Sequence, residues 1–366
     1  MSEKNQTEQG ASMNVFPSRL WHVTAALLLL TVPLSGMTQD RPYPGASWQG
    51  VTAPEALGWS REKLQVARQY AETIDSAAVM LIVNGQVLDE WGHTGTRYNV
   101  HSIRKSFLSG LIGIAVEEGR MALGSTLAQL GIDDNPPSLT AMEKQATVGD
   151  LIKARSGIYH AALYETPGMA ARRPQRGSHA PGTFWYYNNW DFNALGTIYE
   201  QNTKGKIFEQ FKARIAGPLG MEDFRLSDGE YVSGPSSDHR AYPFRMTARD
   251  MARFGLLFLR DGRWRGQQIV PAAWVKESTS VYSDAELDGG YGYMWWVAKD
   301  GRHLPSVRLP EGSFSAQGHG GHLILVIPPL DLVIVHRVDT DRPGKQVSDP
   351  QLGELVRLIL AAKKQD

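Results

Sequence analysis

Asn84-Gly85, set between the apolar runs at 77–83 and 86–91, constrains this chain more than any other pair of neighbours. Asn-Gly accepts the left-handed backbone of a two-residue turn, so it predicts a β-hairpin. The second strand of that hairpin delivers the chain to Ser102-Ile103-Arg104-Lys105, after which Phe107, Leu108, Leu111, Ile112, Ile114, Ala115 and Val116 make the sequence almost wholly apolar. A helix of that composition is buried, and its first turn is a natural pocket floor.

A serine and a lysine three residues apart on a helix share one face and stand about 4.5 Å apart along the axis. Serine attacks a carbonyl only when a base takes its proton, and a lysine in an apolar wall loses its charge more easily than one in water. Ser102 and Lys105 are therefore a candidate nucleophile and its activator. Ser60-Arg61-Glu62-Lys63 has the same spacing, but it opens an amphipathic segment (Leu64, Val66, Ala67, Tyr70, Ala71, Ile74) in which Ser60 reads as an ordinary helix cap.

Helical patterns follow at 148–153, 191–201 and 207–215, interrupted by a Pro-, Gly- and Arg-rich loop at 167–182. Helices are expected again at 246–261, 271–278 and 350–363, and strands at 291–297, 323–327 and 332–337. Strands and a helix at each end of the chain, with a helical block between, predict an α+β fold: one antiparallel sheet built from early and late segments, flanked by helices, with an inserted mostly helical lobe over about 119–242. Residues 41–366 then form a single catalytic domain.

Within the lobe stands Phe184-Trp185-Tyr186-Tyr187-Asn188-Asn189. Acyl transfer needs a group to carry the serine proton to the leaving atom, and a phenol beside a cation, its pKa depressed, can do so. Tyr187 is the candidate relay, Asn189 an orienting amide and Tyr186 a pocket wall. Further on, Gly318-His319-Gly320-Gly321-His322 precedes a strand, where glycines let backbone approach a substrate and an N–H could share an oxyanion with that of Ser102. No helix follows to make a phosphate loop, and His319 and His322 have no third ligand nearby, so neither a metal nor a cofactor is expected. Ser237-Asp238-His239 and Asp133-Asp134-Asn135 read as surface turns, while Tyr159, His160 and Tyr164 could line the cleft.

The 38 basic and 38 acidic residues cancel, so no global field selects nucleic acid, and the absence of cysteine removes disulfides and thiolate chemistry. Arg19 and His22 precede an apolar run at 23–34, too short to span a bilayer but matching a signal-peptide core. A leader over 1–40 and a periplasmic or secreted domain without a stable membrane span are expected; an uncleaved anchor and a cytosolic tail remain alternatives.

The order Ser-x-x-Lys, Tyr-x-Asn, His-x-Gly resembles the serine β-lactamase superfamily, in particular class C enzymes with their esterase and nylon-oligomer hydrolase relatives, over roughly 50–365. Residues 146–152, 155–158, 246–255 and 291–296 extend the likeness. The resemblance implies the β-lactamase/DD-peptidase fold, with Ser102 acylated, Lys105 its partner, Tyr187 the relay and Asn189 a contact to the acyl substituent. It also implies His319-Gly320-Gly321 in place of the family's Lys-Thr-Gly edge, and Tyr186 and Trp296 in an aromatic acyl pocket. A histidine there is mostly neutral near pH 7, so an ester or amide small molecule is favoured over a carboxylate-bearing β-lactam. β-Lactamase or D-amino-acid peptidase activity, or a non-catalytic acyl sensor, are the alternatives.

Overall fold

A computed structural model describes residues 42–285 and 289–364, so the leader expected at 1–40 lies outside the described residues. Among the described residues no helix is long and apolar enough to cross a membrane. The main sheet is formed by β1 (Ser76–Val83), β2 (Gln86–Gly92), β3 (Ser283–Asp284), β4 (Gly290–Tyr291), β5 (Trp296–Val297), β6 (Phe314–Gly318), β7 (His322–Ile327) and β8 (Leu332–Val338). Their spatial order is β2-β1-β8-β7-β6-β5-β4-β3, antiparallel throughout. Asn84 (φ 50°) and Gly85 (φ 72°) form the expected left-handed turn. β1 then pairs on its other edge with β8, so early and late segments complete one sheet.

Five longer helices matter for the site: α1 (Arg61–Thr73), α2 (Ile103–Glu117), α3 (Asn189–Thr203), α4 (Ala248–Leu259) and α5 (Asp349–Ala361). Ser60 Oγ accepts the Lys63 N–H, which makes the earlier Ser-x-x-Lys a helix cap. Val79, Leu81, Leu325 and Ile334 face a core shared with Leu64 of α1 and Leu355 and Ile359 of α5. Met80, Ile82, Ile324, Val333 and Val335 face the other core, with Phe107 and Leu111 of α2 and Phe254 of α4. Because both faces are covered, β1 and β8 read as continuous apolar runs rather than alternating ones. Gly255 permits the close seat of α4, since a Cβ there would stand 2.6 Å from Val333 Cγ1 and 2.9 Å from Ile324 Cγ2.

Several expectations are corrected. The strand expected at 291–297 is two short strands, because Met294 turns left-handed (φ 60°) and the intervening backbone bonds elsewhere. Ser237-Asp238-His239 is not a surface turn but part of a strand at Ser237–Ala241, with Ser237 and His239 buried. Asp134 is buried as well, accepting Ser237 Oγ–H at 2.8 Å and Trp190 Nε1–H at 2.5 Å. Its partners lie far along the chain, which is why a local pattern reads it as solvated.

Candidate active site

The nucleophile's turn is built by a short bridge in which Tyr98–Asn99 pairs with Arg245–Met246. Asn99 Oδ1 then accepts the His101 N–H at 2.9 Å, holding His101 left-handed (φ 49°), and α2 begins directly after Ser102. The next three N–H groups close turns onto Val100, His101 and Ser102 carbonyls, whereas the Ser102 N–H has no acceptor among the described residues. α2 is buried from Ile103 to Ala115, and Ser106 and Ser109 pin it to the Met294 and Tyr293 carbonyls at 2.7 Å each. Those two bonds fix the nucleophile helix against the turn that leads into β5.

Lys105 Nζ lies 2.6 Å from Ser102 Oγ and 2.7 Å from Tyr187 Oη. It also sits over the Tyr187 and Phe192 rings, 4.6 and 5.0 Å from their centroids. Burial, reinforced by the Arg104 charge, holds the amine well below its ordinary range. The same burial pushes the Tyr187 phenol up to about 12, although its bond to Ser102 pulls the other way. The expectation of a depressed phenol is thus corrected: in this dry enclosure burial lowers the lysine and raises the tyrosine, favouring the neutral form of each.

Tyr187 precedes α3, whose cap Asn188 accepts the Asp191 N–H at 3.0 Å. Its ring meets Phe192 at 5.0 Å, Trp296 at 5.4 Å and Tyr291 at 5.8 Å, and Trp185 lies 6.1 Å from Trp296. Trp296 therefore stands in an aromatic wall beside the relay. Tyr186 is directed otherwise: its hydroxyl donates to the Met169 carbonyl at 2.8 Å and its ring meets Tyr159. Asn189 is buried and donates Nδ2–H to the Tyr164 carbonyl at 2.5 Å, while its Oδ1 is without a partner among the described residues.

His319, Gly320 and Gly321 are not a strand edge but the turn between β6 and β7, and His319 is exposed. Gly320 (φ 84°) and Gly321 (φ 95°) are required by that turn and by its seat on Thr340 and Val347, where a Cβ would come within 2.6 and 2.8 Å. The strand beside the nucleophile is β6, which sequence patterning missed. Ala298 N–H donates to the Ser313 carbonyl, so by alternation Ser315 and Gln317 also direct their backbone groups toward β5. β5 ends at Trp296, opposite Ser315, and Met294 bonds Ile152 and Ser106 instead, which leaves the Gln317 N–H facing the open edge. The end of β6 abuts the turn before Ser102, since a Cβ on Gly318 would meet the Val100 carbonyl at 2.4 Å.

Tyr164 lies at the cleft, as its place in the sequence allowed. It is left-handed (φ 63°), its hydroxyl accepts Asn99 Nδ2–H at 2.7 Å, and its ring stacks with His101 at 6.5 Å. His160 turns away toward Glu143, 3.7 Å distant. Sequence reasoning missed Asp191, fully buried with Oδ1 accepting Ser156 Oγ–H at 2.5 Å, which ties the start of α3 to the turn at Ser156. It also missed Arg104, buried over the Tyr242 ring at 4.2 Å and donating to Asn193 Oδ1 at 2.9 Å. Among the described residues there is no group of three or more metal-ligating side chains.

A model of the Beta-lactamase family matches residues 64–357. The chain is 21% identical over 336 residues to 6-aminohexanoate-dimer hydrolase of Paenarthrobacter ureafaciens, covering 81% of this chain and 80% of that protein. A Bacillus anthracis structure bearing the 6-aminohexanoate-dimer hydrolase name aligns at TM-score 0.63 and 20% identity, over 88% of each chain. A class C beta-lactamase structure aligns at TM-score 0.60 and 17% identity, covering 86% of this chain and 97% of that one.

Proposed function

The chain belongs to the Beta-lactamase family of hydrolases, and we propose that it cleaves an ester or amide through a covalent acyl-Ser102 intermediate. The observation that carries this reading is the amine of Lys105 held 2.6 Å from Ser102 Oγ and 2.7 Å from Tyr187 Oη inside an apolar wall. A neutral Lys105 takes the Ser102 proton as Oγ adds to the carbonyl carbon. Tyr187 then gives its hydroxyl proton to the leaving atom and receives the one Lys105 has gained, so both return to their neutral forms. The Ser102 and Gln317 N–H groups hold the tetrahedral oxyanion. Water, deprotonated through the same pair, releases the acyl group and restores Ser102.

β6 carries no cation, so nothing on that edge pairs with a substrate carboxylate, which favours uncharged esters and amides. Fluorophosphonate labelling followed by peptide mass spectrometry tests the nucleophile. Modification of Ser102 is expected; absence of label under conditions where a control serine hydrolase reacts, or label at Ser60, defeats the proposal.

A further inference from the structure

Beside the nucleophile runs a line of polar contacts that takes no part in this proton transfer. Arg337, fully buried in β8, donates to the carbonyls of Met246, Tyr98 and Asn99, to Met251 Sδ, and through Nε–H to His322 Nδ1 at 3.0 Å. A guanidinium only donates, so His322 Nδ1 accepts and the ring proton of His322 sits on Nε2. That nitrogen lies 3.3 Å from Thr340 Oγ1 and donates to it. The Thr340 hydroxyl has one hydrogen of its own, and the acceptor within reach among the described residues is His101 Nε2 at 2.8 Å. His101 therefore carries its proton on Nδ1. Among the described residues Nδ1 meets no partner, and it is not among the buried atoms.

His101 immediately precedes Ser102, and its ring lies 6.5 Å from that of Tyr164 and 5.7 Å from that of His319. Its backbone is left-handed (φ 49°), a conformation that costs a non-glycine residue energy and that the Asn99 bond holds. Burial, the largest cause, pulls the imidazole down to about 4, so it stays neutral near pH 7. We propose that His101 is a specificity-determining residue whose Nδ1–H, fixed by the line from Arg337 through His322 and Thr340, donates to an acceptor oxygen of the uncharged ester or amide held at Ser102. This inference rests on the serine-hydrolase reading above.

Long-range proton–nitrogen NMR on histidine-labelled protein reads the tautomer without reference to activity, and a protonated Nδ1 with a bare Nε2 is expected for His101. With p-nitrophenyl butyrate, His101→Ala should raise KM about tenfold with kcat within about threefold, the loss of one hydrogen bond. His101→Asn, which places an amide N–H near the same point and tolerates the left-handed backbone, should recover most of that. Thr340→Val should raise KM about threefold in the native background and have no further effect in the Asn background. A proton found on His101 Nε2, or a Thr340→Val effect equal in both backgrounds, overturns the proposal. Ser102 labelling separates the two readings: a labelled Ser102 with KM unmoved in His101→Ala defeats this inference alone, and an unlabelled one defeats the hydrolase reading and this inference with it.

Discussion

Asp191→Asn should stabilise the protein at pH 8 and change little at pH 4. The carboxyl is wholly buried; Oδ1 accepts from Ser156, and Oδ2 has no partner among the described residues. Burial pushes it from 3.8 up to about 8, outweighing the hydrogen bonds from Ser156 and Asn188 that pull it down. Between those two values the folded chain keeps a proton that the unfolded chain has released. The unfolded state then binds fewer protons, so stability falls by about 1.36 kcal/mol for each pH unit. The contribution is complete below the unfolded value and is lost as pH rises toward the folded one, on the order of 5 kcal/mol over the whole interval. Asparagine is isosteric, uncharged at every pH, and can still accept from Ser156. Urea unfolding followed by tryptophan fluorescence at pH 4, 6 and 8 gives the difference between native and variant, from which groups common to both cancel. A difference that is flat with pH, or a variant weaker than the native chain at pH 8, would refute the reasoning.

Four further outcomes are expected. Lys105→Met and Tyr187→Phe should each lower kcat by about 10²–10⁴-fold, read on p-nitrophenyl butyrate, and native activity should fall on acidification as Lys105 regains its proton. Among p-nitrophenyl butyrate, a chromogenic cephalosporin and linear 6-aminohexanoate dimer, the ester should be turned over fastest; preferential cephalosporin hydrolysis would contradict the argument from the uncharged β6 edge. Gly255→Ala should destabilise the fold by about 1–3 kcal/mol in the same urea assay, because the new methyl must displace Val333 and Ile324.

The parts of this molecule legible in its sequence are those whose cause is local. Asn84-Gly85 announces its hairpin because two adjacent residues accept left-handed backbone, and the apolar run after Ser102 announces a buried helix by composition. Ser102, Lys105 and Tyr187 are brought together by the structure, although the distance from Lys105 to Tyr187 in sequence hides that meeting from any pattern shorter than the fold. β6 escaped notice because Ser315, Gln317 and Gly318 have little strand character, and its pairing with β5 and β7 overrides that. The His-Gly-Gly segment is ambiguous in sequence for a related reason: glycines that admit a substrate and glycines that admit Thr340 and Val347 look the same until the packing partner is known. Tyr187's proton affinity depended on how dry its surroundings are, which no local spacing reports.

The pairing of β1 with β8 has a consequence for synthesis. The hairpin of β1 and β2 leaves the ribosome early, yet one edge of β1 has no partner until the segment Leu332–Val338 follows it. Throughout that interval the growing chain carries an unsatisfied apolar strand edge, a template for pairing with a neighbouring chain. The buried Arg337, which braces the nucleophile's turn through the Tyr98 and Asn99 carbonyls, arrives with the same late strand. Completion of the sheet and completion of the reactive centre are thus a single event in the life of each new molecule, and a chain released before it would be prone to aggregate and without a braced reactive centre.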